Sequence, residues 1–221
     1  DEWRDYQNTR SVRIVKAEEL RFPASTPEPL LPVEFIRAWS HSAEIEGRNL
    51  YSLALQKEGP QQDVKADIVR VLQQVDSGVQ RLDLVQPGQM DSQIQIKHAL
   101  TGVTPLSAFG DGFRRALLIA AAIPAVHGGL LLIDELEAAL HVSVRESVLK
   151  LLKYAVKDFN VQVFATTHSL EAVDSVLSVF QDSLPTVAGF RLEREDGRAV
   201  AKRLPGELLH ELRYDMGLEF R

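Results

Sequence analysis

Two rhythms of apolar residues divide the chain near Gly102. Upstream, Val33 to Trp39 is apolar and reads as a strand, and Val64, Ile68, Val71 and Leu72 recur at helical spacing, predicting an amphipathic helix over Val64 to Val75. Val79 to Val85 and Ile94 to Leu100 alternate instead and flank Pro87-Gly88, which predicts an antiparallel pair. Before them lie a short strand, Val12 to Val15, and a connection that Pro23, Pro27, Pro29 and Pro32 keep extended.

Downstream the runs lengthen. Phe113 to Val126 is a dense apolar helix, Leu130 to Ile133 an uninterrupted apolar strand, and Ser143 to Phe159 a helix opened by a Ser143/Glu146 capping box and closed by Asn160. Val161 to Thr166 is a second apolar strand, and Leu170 to Phe180 a third helix. Strand, helix, strand, helix at this spacing predicts an α/β fold with a parallel sheet, whose ligand sites lie beyond the carboxyl ends of the strands. The tail reads as a hairpin, Val187 to Glu193 and Ala199 to Arg203, turning at Asp196-Gly197. A short helix, Gly206 to Tyr214, and an apolar stretch, Leu218 to Phe220, follow. The chain thus divides into residues 1–100, 101–185 and 186–221.

Composition narrows the classes. Of 221 residues, 45% are hydrophobic and 25% charged, as in ordinary globular chains, and the net charge of −6 makes the whole no magnet for nucleic acid or anionic lipid. Any basic patch must be local. The absence of cysteine excludes a disulfide framework, a thiolate metal site and a thiol nucleophile, and fits a reducing compartment such as the cytoplasm. Ala116 to Ile133 is long and apolar, but Pro124, His127, Gly128 and Gly129 divide it, so it reads as a buried helix and strand and no membrane partner is expected.

Three constellations carry chemistry. The strand Leu130 to Ile133 runs straight into Asp134 and Glu135, and two adjacent acids at a buried strand end need a cation or a proton. In phosphoryl transfer the cation is Mg²⁺, held by the first acid, while the second polarises the attacking water. Acids that merely open a helix would look the same. The second constellation is Leu106 to Gly112, where Ser107, Gly110 and Gly112 precede a helix start and let backbone N–H groups approach an anion. A glycine-rich turn is its plainer reading. The third is His168 in Thr166-Thr167-His168-Ser169, placed just past a strand end where it can report on a γ-phosphate or serve as an ordinary loop residue.

Taken in order, these elements resemble the C-terminal half of an ABC-class ATPase domain, over roughly residues 100–180. Leu106 to Gly112 is similar to the signature motif, Leu130 to Glu135 to Walker B, Glu137 to His141 to the D-loop, and Thr166 to Ser169 to the switch histidine. The wording is nearest to AAA-labelled, ABC-like ATPases related to the OLD-family ATPase domain and the RecF and SMC group. Their LSxxGDGxRR signature is matched by Leu106, Ser107, Gly110, Asp111, Gly112, Arg114 and Arg115, and their VQVFATTHS strand by Val161 to Ser169.

The resemblance implies a P-loop NTPase-like sheet of the ABC type with flanking helices and an antiparallel subregion. It implies ATP and Mg²⁺ as cofactors, Asp134 on the metal, Glu135 as general base and His168 on the γ-phosphate. Ser107, Gly110, Asp111 and Gly112 would engage nucleotide held by the opposite subunit of a homodimer, with Arg114 or Arg115 adding charge. The D-loop departs from the commoner serine- or asparagine-bearing versions, and no glutamine follows the first strand, which leaves Ser40, His41 or Ser42 for the Q-loop.

Such a site also needs a G-x-x-x-x-G-K-[ST] loop, and the sequence contains no Gly-Lys dipeptide. The chain starts at Asp1, so the expectation is a loop encoded upstream or supplied by another polypeptide. The function implied is an ATP-driven dimerisation switch, in DNA repair or phage defence, acting on nucleic acid or a protein partner. Two alternatives stay open: a regulatory module that keeps the ABC core without catalysis, and a metal-dependent nuclease built on Asp134 and Glu135.

Overall fold

In the computed structural model of the chain, the residues described are 31–38, 48–49, 51–52, 54–55, 63–86, 88, 92–195 and 198–215. They belong to a unit running from Leu31 to Arg221. The expected strand at Val12 to Val15, the proline-rich connection, the Q-loop candidates Ser40 to Ser42, the hairpin turn and Leu218 to Phe220 lie outside the described residues.

A parallel sheet holds strands β1 (Val33–Ile36), β5 (Leu130–Ile133) and β6 (Gln162–Ala165) in the order β1-β5-β6. Its register aligns Phe35, Leu132 and Phe164 across one face and Ile36, Ile133 and Ala165 across the other. Strands β1 and β5 start very close together: a Cβ on Gly129 would stand 2.0 Å from the Pro32 carbonyl oxygen, so only glycine fits there. Leu131 and Ile133 are buried under helices, whereas Val33, Phe35 and Phe164 remain 51%, 53% and 46% exposed and leave that sheet face open among the described residues.

Helix α1 (Val64–Leu72) starts where the Asp63 carboxylate accepts the Ala66 N–H at 2.9 Å, and it buries Val64, Ile68, Val71 and Leu72 along one stripe. That stripe packs on α2 (Asp111–Ala125), which is buried on nearly every side from Phe113 onward. Pro124 sits in the last turn of α2, where the helix is about to end. Helix α3 (Val142–Asp158) covers the sheet beside α2, and Asn160, at φ +50°, turns the chain into β6. Helix α4 (Leu170–Val179) is capped by Ser169, whose hydroxyl accepts the Ala172 N–H.

Strands β2 (Val79–Val85), β3 (Gln93–His98) and β4 (Gly102–Pro105) form an antiparallel sheet. A second antiparallel unit is the ribbon of β7 (Ala188–Glu195) and β8 (Arg198–Pro205), followed by α5 (Gly206–His210) and a π turn, Glu211–Asp215.

Three expectations need correction. Strand β4 was not expected, because Gly102 and Pro105 read as breakers, yet it pairs with β3 through Thr104 and Val103 as an edge strand. Helix α1 stops at Leu72, since Gln73 to Val75 form a turn. Helix α3 starts at Val142, one residue ahead of the expected Ser143, and the Glu146 carboxylate pairs with Lys150 at 2.7 Å one turn on. Among the described residues no helix is long and apolar enough to cross a membrane.

Candidate functional site

The acid pair is held by both neighbouring strands. Asp134 N–H donates to Ile36 O at 2.8 Å and Thr166 N–H to Ile133 O at 2.9 Å, so the parallel ladder runs to the last residue of β5 and brings three strand ends to one edge. Thr166 then joins the two acids. Its hydroxyl donates to Asp134 Oδ1 at 2.7 Å and accepts the Glu135 N–H at 2.9 Å. Glu135 adopts φ +47°, a left-handed conformation uncommon for any residue with a side chain, and leaves its carboxylate exposed.

Behind the pair lies Arg115, only 5% exposed. Its guanidinium donates to the carbonyls of Asp134 at 3.0 Å and Glu135 at 3.5 Å, and to Arg37 O beyond the end of β1. One buried cation in the first turns of α2 therefore ties that helix to two strand ends. The chain start of α2 faces the same edge: a Cβ on Gly112 would stand 3.3 Å from Ala139 O.

The segment after the acids meets the segment after β6. Glu137 Oε2 accepts the Thr167 hydroxyl at 2.7 Å and Oε1 accepts the His168 N–H at 2.9 Å. Thr167 Oγ1 in turn accepts the Ser169 N–H at 3.0 Å. Burial pushes the Glu137 carboxyl up, but the Thr167 hydroxyl, backbone N–H groups and the nearby His168 favour its ionised form and hold it below the ordinary 4.5. A depressed carboxyl stabilises the fold above its unfolded pKa, and that contribution disappears as pH falls through the lower folded value. Wild-type protein is thus expected to lose urea resistance on going from pH 6 toward pH 3, and Glu137→Gln to lose less over the same interval. Equal acid sensitivity in the two would remove Glu137 as a source.

The glycine-rich segment is exposed. Ser107 lies in a 3₁₀ turn, Leu106–Ala108, and Gly110, extended at φ −67° and ψ 166°, caps α2 without a side chain. Asp111 and Arg114 pair with each other at 2.7 Å on the surface. Of the two arginines between which the sequence did not choose, Arg115 is committed to carbonyls inside, and Arg114 stays at the outer side of the start of α2.

Asp134, Glu135 and His168 are thus brought to one edge, with the start of α2 beside them. Among the described residues, no group of three His, Cys, Asp or Glu side chains forms a ligand cluster. Asp134 presents hard oxygen, and Mg²⁺ suits such a site, since it takes one or two carboxylates and keeps waters for the rest. Sequence reasoning missed Thr166 as the link between the acids and Glu137 as the partner of the His168 N–H, and it offered Arg115 as a charge at the nucleotide where the structure buries it against carbonyls. The two hydroxyls just before His168 were the available signal for the first.

Residues 5–174 match the family described as "AAA domain, putative AbiEii toxin, Type IV TA system". The chain belongs to this AAA family. As an AAA-family member it has a mixed α/β fold with a parallel sheet. It is 30% identical over 194 residues to an ATP/GTP phosphatase of Helicobacter pylori, covering 85% of this chain and 51% of that protein. It is 38% identical over 114 residues to an uncharacterized protein of Methanocaldococcus jannaschii, covering 51% of this chain and 98% of that one. The AAA-family chain therefore spans about half the Helicobacter relative and nearly all of the Methanocaldococcus one. A solved SMC ATPase, described for ATP-driven dimerization and DNA-stimulated activation, gives a TM-score of 0.49 at 14% identity, over 78% of this chain and 98% of that one. The Smc head of Pyrococcus furiosus with an extended coiled coil, bound to the C-terminal domain of ScpA, gives 0.48 at 16% identity, over 79% and 41%.

Proposed function

We propose that the edge formed by the ends of β5 and β6 hydrolyses ATP as part of an ATPase head that closes as a homodimer. The observation that carries this reading is the junction of Asp134, Glu135 and Thr166, with His168 held two residues on by Glu137. Asp134 is the Mg²⁺ ligand. Bound there, Mg²⁺ would neutralise charge on the phosphates of ATP.

Glu135, exposed and turned outward by its left-handed backbone, accepts a proton from the attacking water. Thr166 keeps Asp134 and the Glu135 backbone in fixed relation, so the two acids act as ligand and base rather than exchanging roles. His168 donates to the γ-phosphate, and its position follows from the Glu137 bond to its own N–H. Gly110 and Gly112 offer backbone N–H groups at the start of α2 to the nucleotide held by the opposite subunit, with Ser107, Asp111 and Arg114 at the rim.

Gly110 supplies a test in which folding and function separate. A Cβ there would meet nothing within 4 Å, and φ is negative, so Gly110→Ala fits the fold without strain. In the intact protein that variant is expected to keep its melting temperature within a degree or two while Mg²⁺-dependent phosphate release falls about tenfold or more, because the added methyl stands where a phosphate must approach the backbone N–H groups. Full activity in Gly110→Ala would remove the start of α2 from the nucleotide site.

A further inference from the structure

The β7–β8 ribbon has two faces of different chemistry. The register pairs Phe190 with Arg203, Leu192 with Ala201, Arg194 with Ala199, and, on the opposite face, Arg191 with Lys202 and Glu193 with Val200. Facing residues of an antiparallel pair lie on the same side of the sheet. On the second face Gly189 lies against Leu209 of α5. Outward from there, Glu193 binds Arg191 at 3.3 Å and Lys202 at 2.6 Å, and Lys202 also binds Glu195 at 2.8 Å. Both acids there, Arg191 and Lys202 are matched by neighbours on the same face, and Arg198 stands directly opposite Glu195.

The first face carries Phe190, Leu192, Arg194, Ala199, Ala201 and Arg203, with no acid among them. Phe190 is 57% exposed and Leu192 76%. Arg194 and Arg203 are exposed, and neither has a carboxylate partner among the described residues. Arg203 stands opposite Phe190, and Arg194 lies four residues further along β7, about 13 Å at strand spacing. Ala199 and Ala201 leave a low shelf between them.

We propose that this face binds a single strand of nucleic acid, Phe190 stacking on a base, Arg203 contacting the phosphate beside that base and Arg194 a phosphate further along the strand. Two unmatched cations, one across from an aromatic ring and one at the far end of a flat apolar shelf, combine with that ring the two elements such binding uses, backbone charge and a stacking platform. A duplex hides its base faces, so the exposed ring would gain nothing from it. An acidic peptide would answer the arginines but leave the shelf wet. The chain carries a net charge of −6, so attraction is confined to this ribbon and depends on salt. The surface shares no residue with the proposed nucleotide edge, and its test does not depend on hydrolysis.

The experiment is fluorescence anisotropy of an end-labelled thymidine 20-mer titrated with the 221-residue chain at several salt concentrations. Two phosphate contacts predict a slope of log K against log salt of about −1.4. Phe190→Ala is expected to weaken binding roughly 5- to 150-fold with the slope unchanged, and Phe190→Tyr to bind as wild type. The double change Arg194→Ala with Arg203→Ala should bring the slope close to zero. All three positions are exposed, so the variants should melt with the wild type. No binding at low salt, binding that survives these changes, or equal affinity for a duplex of the same length or a polyglutamate peptide would each overturn the proposal.

Discussion

Glu135→Gln in the intact protein is expected to lower ATP turnover by roughly 10²- to 10⁴-fold while nucleotide stays bound. The amide keeps the size and much of the polarity of the carboxylate but cannot take a proton from water. Nothing in the fold depends on that carboxylate: it is exposed, and the contacts that shape the residue run through its N–H to Thr166 and its carbonyl to Arg115. Stability should therefore be unchanged. If hydrolysis is what reopens a closed dimer, the variant should also accumulate as a dimer in ATP and Mg²⁺. Phosphate release, retention of labelled ATP and mass by light scattering measure the three effects. Turnover like that of wild type would take Glu135 out of the chemistry and leave the acid pair a structural role.

Arg115→Met is expected to destabilise the fold by about 2–4 kcal/mol, the largest stability effect of any single change at this edge. The guanidinium is buried and donates to carbonyls of Arg37, Asp134 and Glu135, and methionine would fill most of the volume but remove that donor from Arg37 O and Asp134 O, while Glu135 O keeps the Ala138 N–H. Its sequence neighbour is the control. Arg114 is half-buried, with its side chain 29% exposed, and pairs with an Asp111 that is 78% exposed, so Arg114→Ala should stay within about 0.5 kcal/mol. Urea unfolding of the two variants decides the comparison. Amide exchange adds a readout that a general packing defect would not give: protection should fall first at Asp134, Glu135 and Leu136, whose strand end Arg115 holds. Equal midpoints for Arg114 and Arg115 variants would contradict the assignment.

These two arginines also show how much of the site could be read from residue order. Leu130 to Ile133 followed by two acids was legible because four consecutive aliphatic residues must be buried, and a buried strand can expose acids only at its end. The parallel sheet and the placement of His168 beyond β6 followed from similar local reasoning. Adjacent Arg114 and Arg115 differ only by one step around a helix, and which of them faces the strand ends depends on how α2 packs against β1 and β5. Glu137 was illegible for a related reason: its partners Thr167 and His168 are about thirty residues away and meet it only once β6 is laid beside β5. Strand β4 was hidden because Gly102 and Pro105 are breakers in isolation and become an acceptable edge only when β3 offers a partner.

Glu135 at φ +47° and Ala139 at φ +59° bracket the loop that leaves β5. Left-handed backbone costs an ordinary L residue about 1–2 kcal/mol, and glycine adopts it freely. Both positions are therefore ones where a sequence chosen for folding alone would place glycine or asparagine. Redesign toward greater thermal resistance would exchange Glu135 early, and would obtain a sturdier scaffold by discarding the group that the proposed chemistry needs. In this loop, good folding and good turnover ask for different residues, and the one present is the poorer folder.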